Sequence, residues 1–243
     1  MMFLDTIADN LTDWGPRLLA GLRLTLILTL AGFSAAFVLG LAVEYFRSRP
    51  HGPIRIIANL YITVARGVPI LVILYLLYFA LPGVGIILPS FVGGATGLAL
   101  VYAAYLAEVF RAGLGAIPPG HREAAVASGL TPIQTFRLIL LPQAIKHTIS
   151  PLLVNLVSLL KDSSICALIA VPELTLASRE LMAESFLPLH VFALTAALYF
   201  ALAWPASVLA RYVEERLHAP GERLPAAAAN FTSNSARSGV SQA

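Results

Sequence analysis

Residues 123–143 read EAAVASGLTPIQTFRLILLPQ, and they form the one long connection between apolar segments that is neither a tight turn nor a polar tail. Just before them, Pro118 and Pro119 preset φ at a point where a helix can begin without the missing N–H. Good helix formers follow, and Gly129 stands where a left-handed residue would end the helix. The sequence therefore predicts a short helix that stops at a glycine corner.

A second helix is predicted directly after the glycine. Thr131 and Gln134 have the spacing of a capping box, with Pro132 at the first helical position, and we expect Pro142 to interrupt this helix in turn. Two small helices would then lie outside the bilayer. The first one presents alanines, whose bare surface lets the backbone of another protein approach closely. We therefore interpret the connection as a docking element, and an ordinary amphipathic connector is the alternative.

The composition is that of a membrane protein. Of 243 residues, 58% are apolar and only 12% are charged, whereas about a quarter of a soluble domain is charged. A net charge of +3 would suggest nucleic acid as a partner of a soluble chain, but here the basic residues follow membrane topology. The single cysteine, Cys166, lies in an apolar segment, so we expect no disulfide framework and no metal site.

Five apolar segments are long enough to cross about 30 Å of hydrocarbon at ~1.5 Å per residue. The predicted fold class is all-α, a polytopic membrane protein with five transmembrane helices in a membrane domain at 17–217. We expect an extracytoplasmic segment at 1–16 without a cleaved signal, and a disordered cytoplasmic tail at 218–243. The spans are 24–43, 56–81, 91–107, 145–170 and 187–210, and the docking connection is 117–143. Gly32, Ala36 and Gly40 form a stripe for close helix packing in the first span.

Lysine and arginine are distributed unequally between the two sides of the membrane. Three of them, Arg17, Arg23 and Arg179, lie on one side and eleven on the other, which places the docking connection and the C-terminus in the cytoplasm and the N-terminus outside. The eleven are Arg47, Arg49, Arg55, Arg111, Arg122, Arg137, Lys146, Arg211, Arg216, Arg223 and Arg237.

Three charged residues, Arg66, Lys161 and Asp162, fall inside predicted spans. A charge at the bilayer centre costs ~2.5 to 3.5 kcal/mol, so each needs a partner or a water-filled cavity. Arg66 and Asp162 could form a structural pair, which leaves Lys161 alone. Alternatively, a zwitterionic solute supplies the partners: its carboxylate reaches Lys161 or Arg66 and its ammonium reaches Asp162. Ser163 and Ser164 would then offer hydroxyls.

Gly67 and Pro69 weaken the second span beside Arg66. Pro69 cannot donate to the helical ladder and frees the carbonyl of Ala65. A broken helix at membrane depth is tolerated where it faces protein or a water-filled cavity. A simple kink is the other interpretation of the same residues.

The docking connection resembles the EAA loop of ATP-binding cassette (ABC) importer permeases of type I. Glu123-Ala-Ala is followed after three residues by Gly129, and after nine more by Ile139-x-Leu141-Pro142. In that family the loop is a coupling helix that sits in a groove of the cytoplasmic ATPase. The resemblance thus assigns ATPase coupling to Glu123, Ala124, Ala125, Gly129, Ile139, Leu141 and Pro142.

Other motifs are similar to those of the polar amino acid branch of these permeases, the histidine and glutamine permeases. They include Arg66-Gly67-Val68-Pro69, the run from Ala104 to Arg111, Leu160-Lys161-Asp162-Ser163-Ser164 and the run from Val171 to Thr175. Val68 stands where a threonine is common, which removes a hydroxyl. The resemblance implies a substrate path lined by Arg66, Gly67, Val68, Pro69, Lys161, Asp162, Ser163 and Ser164.

The resemblance implies the permease subunit of an importer of polar amino acids in the bacterial inner membrane. Its partners would be a copy or a paralogue of the chain, cytoplasmic ATPase subunits and an extracytoplasmic solute-binding protein. No Gly-x-x-x-x-Gly-Lys-Ser/Thr occurs, so we expect no ATPase site and no cofactor in this chain, with ATP hydrolysed by the partner. An opine or a small organic acid is the alternative solute.

Two other classes of protein fit parts of the sequence. An intramembrane serine protease is suggested by Ser34 in the first span and His190 in the fifth. A serine in a stripe of small residues is far more often a packing residue. An ATP-independent channel would have no need of the glycine corner in the docking connection.

Overall fold

The computed structural model describes residues 2–49 and 52–217, and no β-strand occurs in these two ranges. Four helices are long and apolar enough to cross a membrane, and the count is five if a sharply bent pair forms one span. The predicted all-α polytopic class is confirmed. The tail predicted at 218–243 lies outside the described residues.

The first helix, α1 (Met2–Arg47), is one element of 46 residues. At ~1.5 Å per residue it is ~69 Å long, more than twice the thickness of the hydrocarbon layer. The sequence predicted a separate segment at 1–16, but from residue 2 onward that segment belongs to the same helix as the first span. The reason is packing, because Trp14 and Leu18 are buried in a core of their own.

The second predicted span, 56–81, is broken. Its first half, α2 (Gly52–Gly67), meets the helical run Ile70–Val84 at an angle of 106°. This run consists of α3 (Ile70–Tyr75), a wide π-type turn and a 3-10 turn. Pro69 immediately precedes α3 and has no N–H to continue the ladder from α2. Of the two interpretations of Gly67 and Pro69, the structure has the break and not the simple kink.

The central helix, α4 (Ser90–Gly115), runs parallel to α1 and in close contact with it. A Cβ added at Gly40 would lie 3.0 Å from the carbonyl oxygen of Ala103, and one added at Gly32 would also contact α4. Ala36, between them, is fully buried. The predicted stripe of small residues therefore brings two backbones together, as packing between membrane helices requires in the absence of a strong hydrophobic drive.

The docking connection begins with two helical pieces. α5 (Pro119–Ala127) is followed, after the glycine corner, by α6 (Pro132–Gln134), which is a single turn. The chain then passes through a π-type turn at Thr135–Leu140 directly into α7 (Leu141–Asp162).

The predicted interruption at Pro142 is wrong, because residues 132–169 form one helical run. Pro142 lies in the first turn of α7, directly after the wide turn. The irregular ladder of a π-type turn leaves room for a residue that lacks an N–H. The docking connection is therefore one short helix and the beginning of a long one.

The remaining helices form a hairpin against the first half of α1. The chain leaves α7 through a 3-10 segment, Ser163–Ile169, before α8 (Leu174–Ser185) and α9 (Pro188–Leu217). α8 lies between the fourth and fifth predicted spans, where the sequence analysis predicted no helix. The apolar residues that join the hairpin to α1 are Trp14, Leu18, Leu174, Leu181 and Val191.

Candidate functional site

Arg66 lies at the break in the second span. It is exposed, and its guanidinium carbon stands 5.4 Å from the centre of the Tyr105 ring on α4. A cation over an aromatic face is attracted by the quadrupole of the ring. Gly67 and Pro69 beside it are exposed, and Val68 is half-buried. The guanidinium of Arg66 and a stretch of irregular backbone therefore lie next to each other at the bend between α2 and α3.

Asp162, at the end of α7, accepts a hydrogen bond from a buried tyrosine. The hydroxyl of Tyr102 donates to Oδ2 of Asp162 over 2.7 Å, and Tyr102 itself is only 3% exposed. The ring of Tyr102 lies 5.8 Å from that of Tyr105, centre to centre. Two tyrosines of α4 therefore stand between Arg66 and Asp162.

The structural pair of Arg66 and Asp162, which the sequence left as one alternative, is absent. Within residues 2–49 and 52–217, neither of these residues nor Lys161 has an oppositely charged group within the 4.0 Å of an ion pair. The side chain of Lys161 is exposed, and its ammonium has no hydrogen bond or ion pair within the described residues. Arg66 and Lys161, both inside predicted spans, therefore have no counter-ion among the residues that the structure describes.

The two serines after Asp162 are engaged by the end of α7. Ser163 is fully buried, and its hydroxyl donates to the carbonyl of Leu160 over 2.7 Å. Ser164 is half-buried and donates to the carbonyl of Lys161 over 2.7 Å. Both hydroxyls therefore donate to carbonyl groups at the end of α7, where the α-helix changes to a 3-10 segment. Each oxygen can still accept a hydrogen bond.

These residues can bind a small ion through its charges. Tyr102 lies near the middle of α4, so the carboxylate of Asp162 is far from both ends of that helix. A solute with a carboxylate could pair with Arg66 or Lys161, and one with an ammonium could pair with Asp162. No group of His, Cys, Asp and Glu in the described ranges is arranged to hold a metal ion.

The glycine corner of the docking connection has the geometry that the sequence predicts. Gly129 has φ of +76°, and the N–H groups of Gly129 and Leu130 donate to the carbonyls of Val126 and Ala125. These two bonds form a Schellman motif, which closes the end of α5. The next helix is closed by the predicted capping box of Thr131 and Gln134.

Ala125 differs from the other residues assigned to coupling because it faces its own chain. It is 5% exposed, whereas Glu123, Ala124 and Gly129 are exposed. Of the second part of the motif, Ile139 is half-buried and packs on a small core formed by Ile117, Leu140 and Ala144. Leu141 and Pro142 are exposed.

Two large apolar side chains of the docking connection are exposed. Val126 is 64% exposed and Ile133 is 79% exposed. Neither residue was predicted as a contact, although each is a β-branched residue on a short helix of the docking connection. An uncovered apolar surface of this kind is typical of a contact with another protein.

A charged cluster lies under the docking connection and was also missed. Arg47, at the end of α1, donates to Oε2 of Glu44 over 2.8 Å and to Oε1 of Glu108 over 2.6 Å, and Arg111 donates to Oε2 of Glu108. The spacing of three residues within Glu44 and Arg47, and within Glu108 and Arg111, could have indicated it. The cluster joins the ends of α1 and α4.

Glu173, within the run from Val171 to Thr175, is a further residue whose role the sequence did not indicate. It is fully buried, and its carboxylate accepts hydrogen bonds from the N–H groups of Thr175 (2.9 Å) and Leu176 (3.0 Å) and from the hydroxyl of Tyr199 (2.7 Å). It therefore caps α8 and ties it to α9. On α1, Thr25 accepts from the N–H of the residue after Glu173.

The serine protease alternative is incompatible with the fold. His190 stacks on the ring of Phe3 with 4.4 Å between the ring centres. Phe3 and Ser34 both belong to α1 and lie about 46 Å apart along it at ~1.5 Å per residue, so Ser34 is similarly distant from His190. No bond between the two side chains is possible, so they cannot form a nucleophile and its base.

The fold and the docking connection define the membrane component of a binding-protein-dependent importer. Residues 30–219 match the family of binding-protein-dependent transport system inner membrane components, and the chain belongs to this family. It functions together with a binding protein and an ATPase.

Its relatives narrow the class further. The chain is 36% identical over 201 residues to the probable amino-acid ABC transporter permease YckA of Bacillus subtilis, covering 83% of this chain and 89% of that protein. It is 30% identical over 213 residues to the glutamine transport system permease GlnP of Escherichia coli K12, covering 84% and 97%. The chain is therefore the permease component of an amino-acid ABC importer and is not an enzyme.

Solved structures have the same fold. A crystal structure of an amino acid ABC transporter with histidines is similar with a TM-score of 0.81 and 32% identity, over 85% of this chain and 97% of that one. An inward-facing methionine ABC transporter has a TM-score of 0.64 at 23% identity, over 81% and 95%, which supports the fold alone.

Proposed function

We propose that this permease carries polar amino acids along a path that passes the break between α2 and α3, the middle of α4 and the end of α7. The carboxylate of the solute pairs with Arg66 or Lys161, and its ammonium pairs with Asp162. Gly67, Val68 and Pro69 give the path its irregular backbone, and Ser163 and Ser164 border it.

One observation carries this proposal. Two cations and a carboxylate lie at membrane depth without ion pairs to one another, and the carboxylate is held by the neutral hydroxyl of Tyr102. Charged groups in a membrane are costly unless something pairs with them. A zwitterion provides both missing charges at once, and the relatives named for glutamine are consistent with such a solute.

In the proposed mechanism, force enters through the docking connection. The surface formed by Glu123, Ala124, Val126 and Ile133 contacts a cytoplasmic ATPase, which hydrolyses the ATP. Ala125, Ile139, Leu141 and Pro142 connect α5 with α7, whose far end carries Lys161 and Asp162. The Schellman corner at Gly129 fixes the angle between the two parts, so displacement of α5 moves α7.

The same proposal covers orientation and assembly. The excess of lysine and arginine on the side of the docking connection supports a cytoplasmic C-terminus and an N-terminus outside. The chain would form a dimer with a copy or with a paralogous permease, because closure of two ATPase subunits requires two docking connections. An extracytoplasmic binding protein delivers the solute. No cofactor is bound by the permease itself.

The proposal is tested by reconstitution in vesicles with the cognate ATPase and binding protein. Each amino acid is scanned for stimulation of ATP hydrolysis and for uptake, with an opine and a small organic acid as further probes. We expect a polar amino acid to stimulate both, and Lys161→Met and Asp162→Asn to abolish uptake while basal hydrolysis persists. Wild-type uptake by both variants, or stimulation only by a solute without an ammonium group, would contradict the path.

A further inference from the structure

Two tyrosines of α4 stand between the charged groups of the path. Tyr102 donates its hydroxyl to Asp162, and the ring of Tyr105 lies against the guanidinium of Arg66. The tyrosines are three residues apart on one helix, with ring centres separated by 5.8 Å. Because residues at this spacing are neighbours on a helix surface, both contacts are fixed by the same rigid element.

The two tyrosines act differently on the two charges. The hydroxyl of Tyr102 occupies Oδ2 of Asp162 and stabilises its negative charge, which leaves Oδ1 as the oxygen without a hydrogen bond in the described chain. The ring of Tyr105 holds Arg66 through its face, so the guanidinium N–H donors keep their capacity for a carboxylate. Asp162 therefore has one carboxylate oxygen fewer to offer to a cation, whereas Arg66 keeps its N–H donors for an anion.

The formal charges of Arg66, Lys161 and Asp162 sum to +1. A solute with a net positive charge raises this to +2, while one with a net negative charge lowers it to zero. Because charges interact more strongly in the low dielectric of a membrane interior than in water, this difference affects binding substantially.

We propose that Tyr102 and Tyr105 set the charge selectivity of the path, so that it accepts amino acids with neutral or acidic side chains and excludes those with cationic side chains. This inference rests on the proposed function, since it requires the solute to pass these residues. The ammonium of any amino acid takes the open oxygen of Asp162, and among the described residues no second carboxylate contacts Tyr102, Tyr105 or Arg66 to pair with a cationic side chain. The carboxylate of an acidic side chain can pair with whichever of Arg66 and Lys161 is not bound to the main carboxylate of the solute.

The test measures binding to the purified complex of permease and ATPase in the absence of the solute-binding protein, so that only the permease selects. The probes are L-glutamate, L-glutamine and L-arginine. For the wild type, we expect L-arginine to bind at least about tenfold more weakly than L-glutamine. In Tyr102→Phe the freed oxygen of Asp162 accepts a second cation. The ratio of L-glutamine affinity to L-arginine affinity should therefore fall by about tenfold.

Further variants separate selectivity from packing. Tyr105→Phe keeps an aromatic ring beside Arg66 and should retain the affinity for L-glutamate. Tyr105→Leu removes the ring and should lower the affinity for L-glutamate several-fold. Tyr61→Phe is the matched control, because it also removes one tyrosine hydroxyl, which donates to the carbonyl of Leu100 and belongs to a half-buried residue. This control should leave the ratio of L-arginine to L-glutamine affinity unchanged.

The outcomes distinguish the inference from the function on which it rests. Equal affinities for all three amino acids, or an equal loss of all three in Tyr102→Phe, would show that the tyrosines only pack and would overturn the inference alone. If no amino acid binds this complex or stimulates hydrolysis in the full system, the proposed function is wrong and the inference is overturned with it.

Discussion

Arg47 donates a hydrogen bond of 2.6 Å to Glu108, although the two residues are 61 positions apart in the sequence. The bond joins the end of α1 to α4 directly beside the docking connection, and the Arg47 side chain is 9% exposed. Glu44 and Arg111 extend the contact on either side. These charged side chains therefore hold the end of α1 against α4, the helix that leads into the docking connection.

Arg47→Met is expected to destabilise the permease by about 3 kcal/mol, because it leaves two partly buried carboxylates without their shared cation. Thermal unfolding in detergent can be followed with a thiol-reactive fluorophore, since Cys166 is fully buried in the native chain. The exposed pair of Arg17 and Glu184 is the control. There, the hydrogen bonds and charge of Arg17 lower the pKa of Glu184, yet Arg17→Met should change the unfolding temperature little. Equal shifts in both variants would contradict the role of burial.

Gly40→Val should separate α1 from α4. A Cβ at Gly40 lies 3.0 Å from the Ala103 carbonyl oxygen and 3.1 Å from the Leu106 Cβ, so a larger side chain forces the helices apart at a cost of about 1 to 3 kcal/mol. Gly15 has open space around its Cβ position, and Gly15→Val should have a much smaller effect in the same unfolding assay. An unchanged unfolding temperature for Gly40→Val would show that the two helices do not need this close approach.

Glu173→Gln should loosen the hairpin of α8 and α9. The amide replaces a carboxyl group that accepts hydrogen bonds from Thr175, Leu176 and Tyr199, and it turns an NH₂ group toward these donors, which costs about 1 to 3 kcal/mol. Glu180 is exposed on the same helix, so Glu180→Gln is a control for loss of charge alone. If the two variants unfold at the same temperature, the buried carboxylate does not hold the hairpin.

Gly129→Ala should impair coupling more than assembly. A residue with a Cβ at φ of +76° is strained by about 1 to 2 kcal/mol, which favours another angle between α5 and α7. The measurement is the ratio of transported amino acid to ATP hydrolysed in reconstituted vesicles, and we expect it to fall. Gly120→Ala is the matched change in α5, where φ is negative and a Cβ meets open space, and it should preserve the ratio. A channel independent of ATP would be indifferent to both changes.

The sequence predicted those features that depend on local signals. The small-residue stripe at Gly32 and Gly40, the left-handed Gly129 and the capping box of Thr131 each follow from a few neighbouring residues, and each is present. Pro142 was misjudged because the wide turn before it is not recognisable from propensity. The break at Pro69 was foreseen as one of two outcomes, since the angle depends on packing against α4.

Contacts between distant helices were not predictable from the sequence. Tyr102 reaches Asp162 only because α4 and α7 lie antiparallel, and nothing local distinguishes this tyrosine from one that faces lipid. Glu173 is similar, because its burial is set by the approach of α1 and α9. Sequence reasoning therefore identified the charges of the path but not the neutral groups that hold them.

The central claim is that an ATPase binds the docking connection in the cytoplasm. Because Cys166 is the only cysteine of the chain, Ile133→Cys in a Cys166→Ala background places a single reactive thiol on the exposed surface of that connection. We predict that a membrane-impermeant maleimide labels this thiol only from the cytoplasmic side of oriented vesicles, and that bound ATPase protects it. Labelling from the outside, or labelling that the ATPase does not change, would contradict the account.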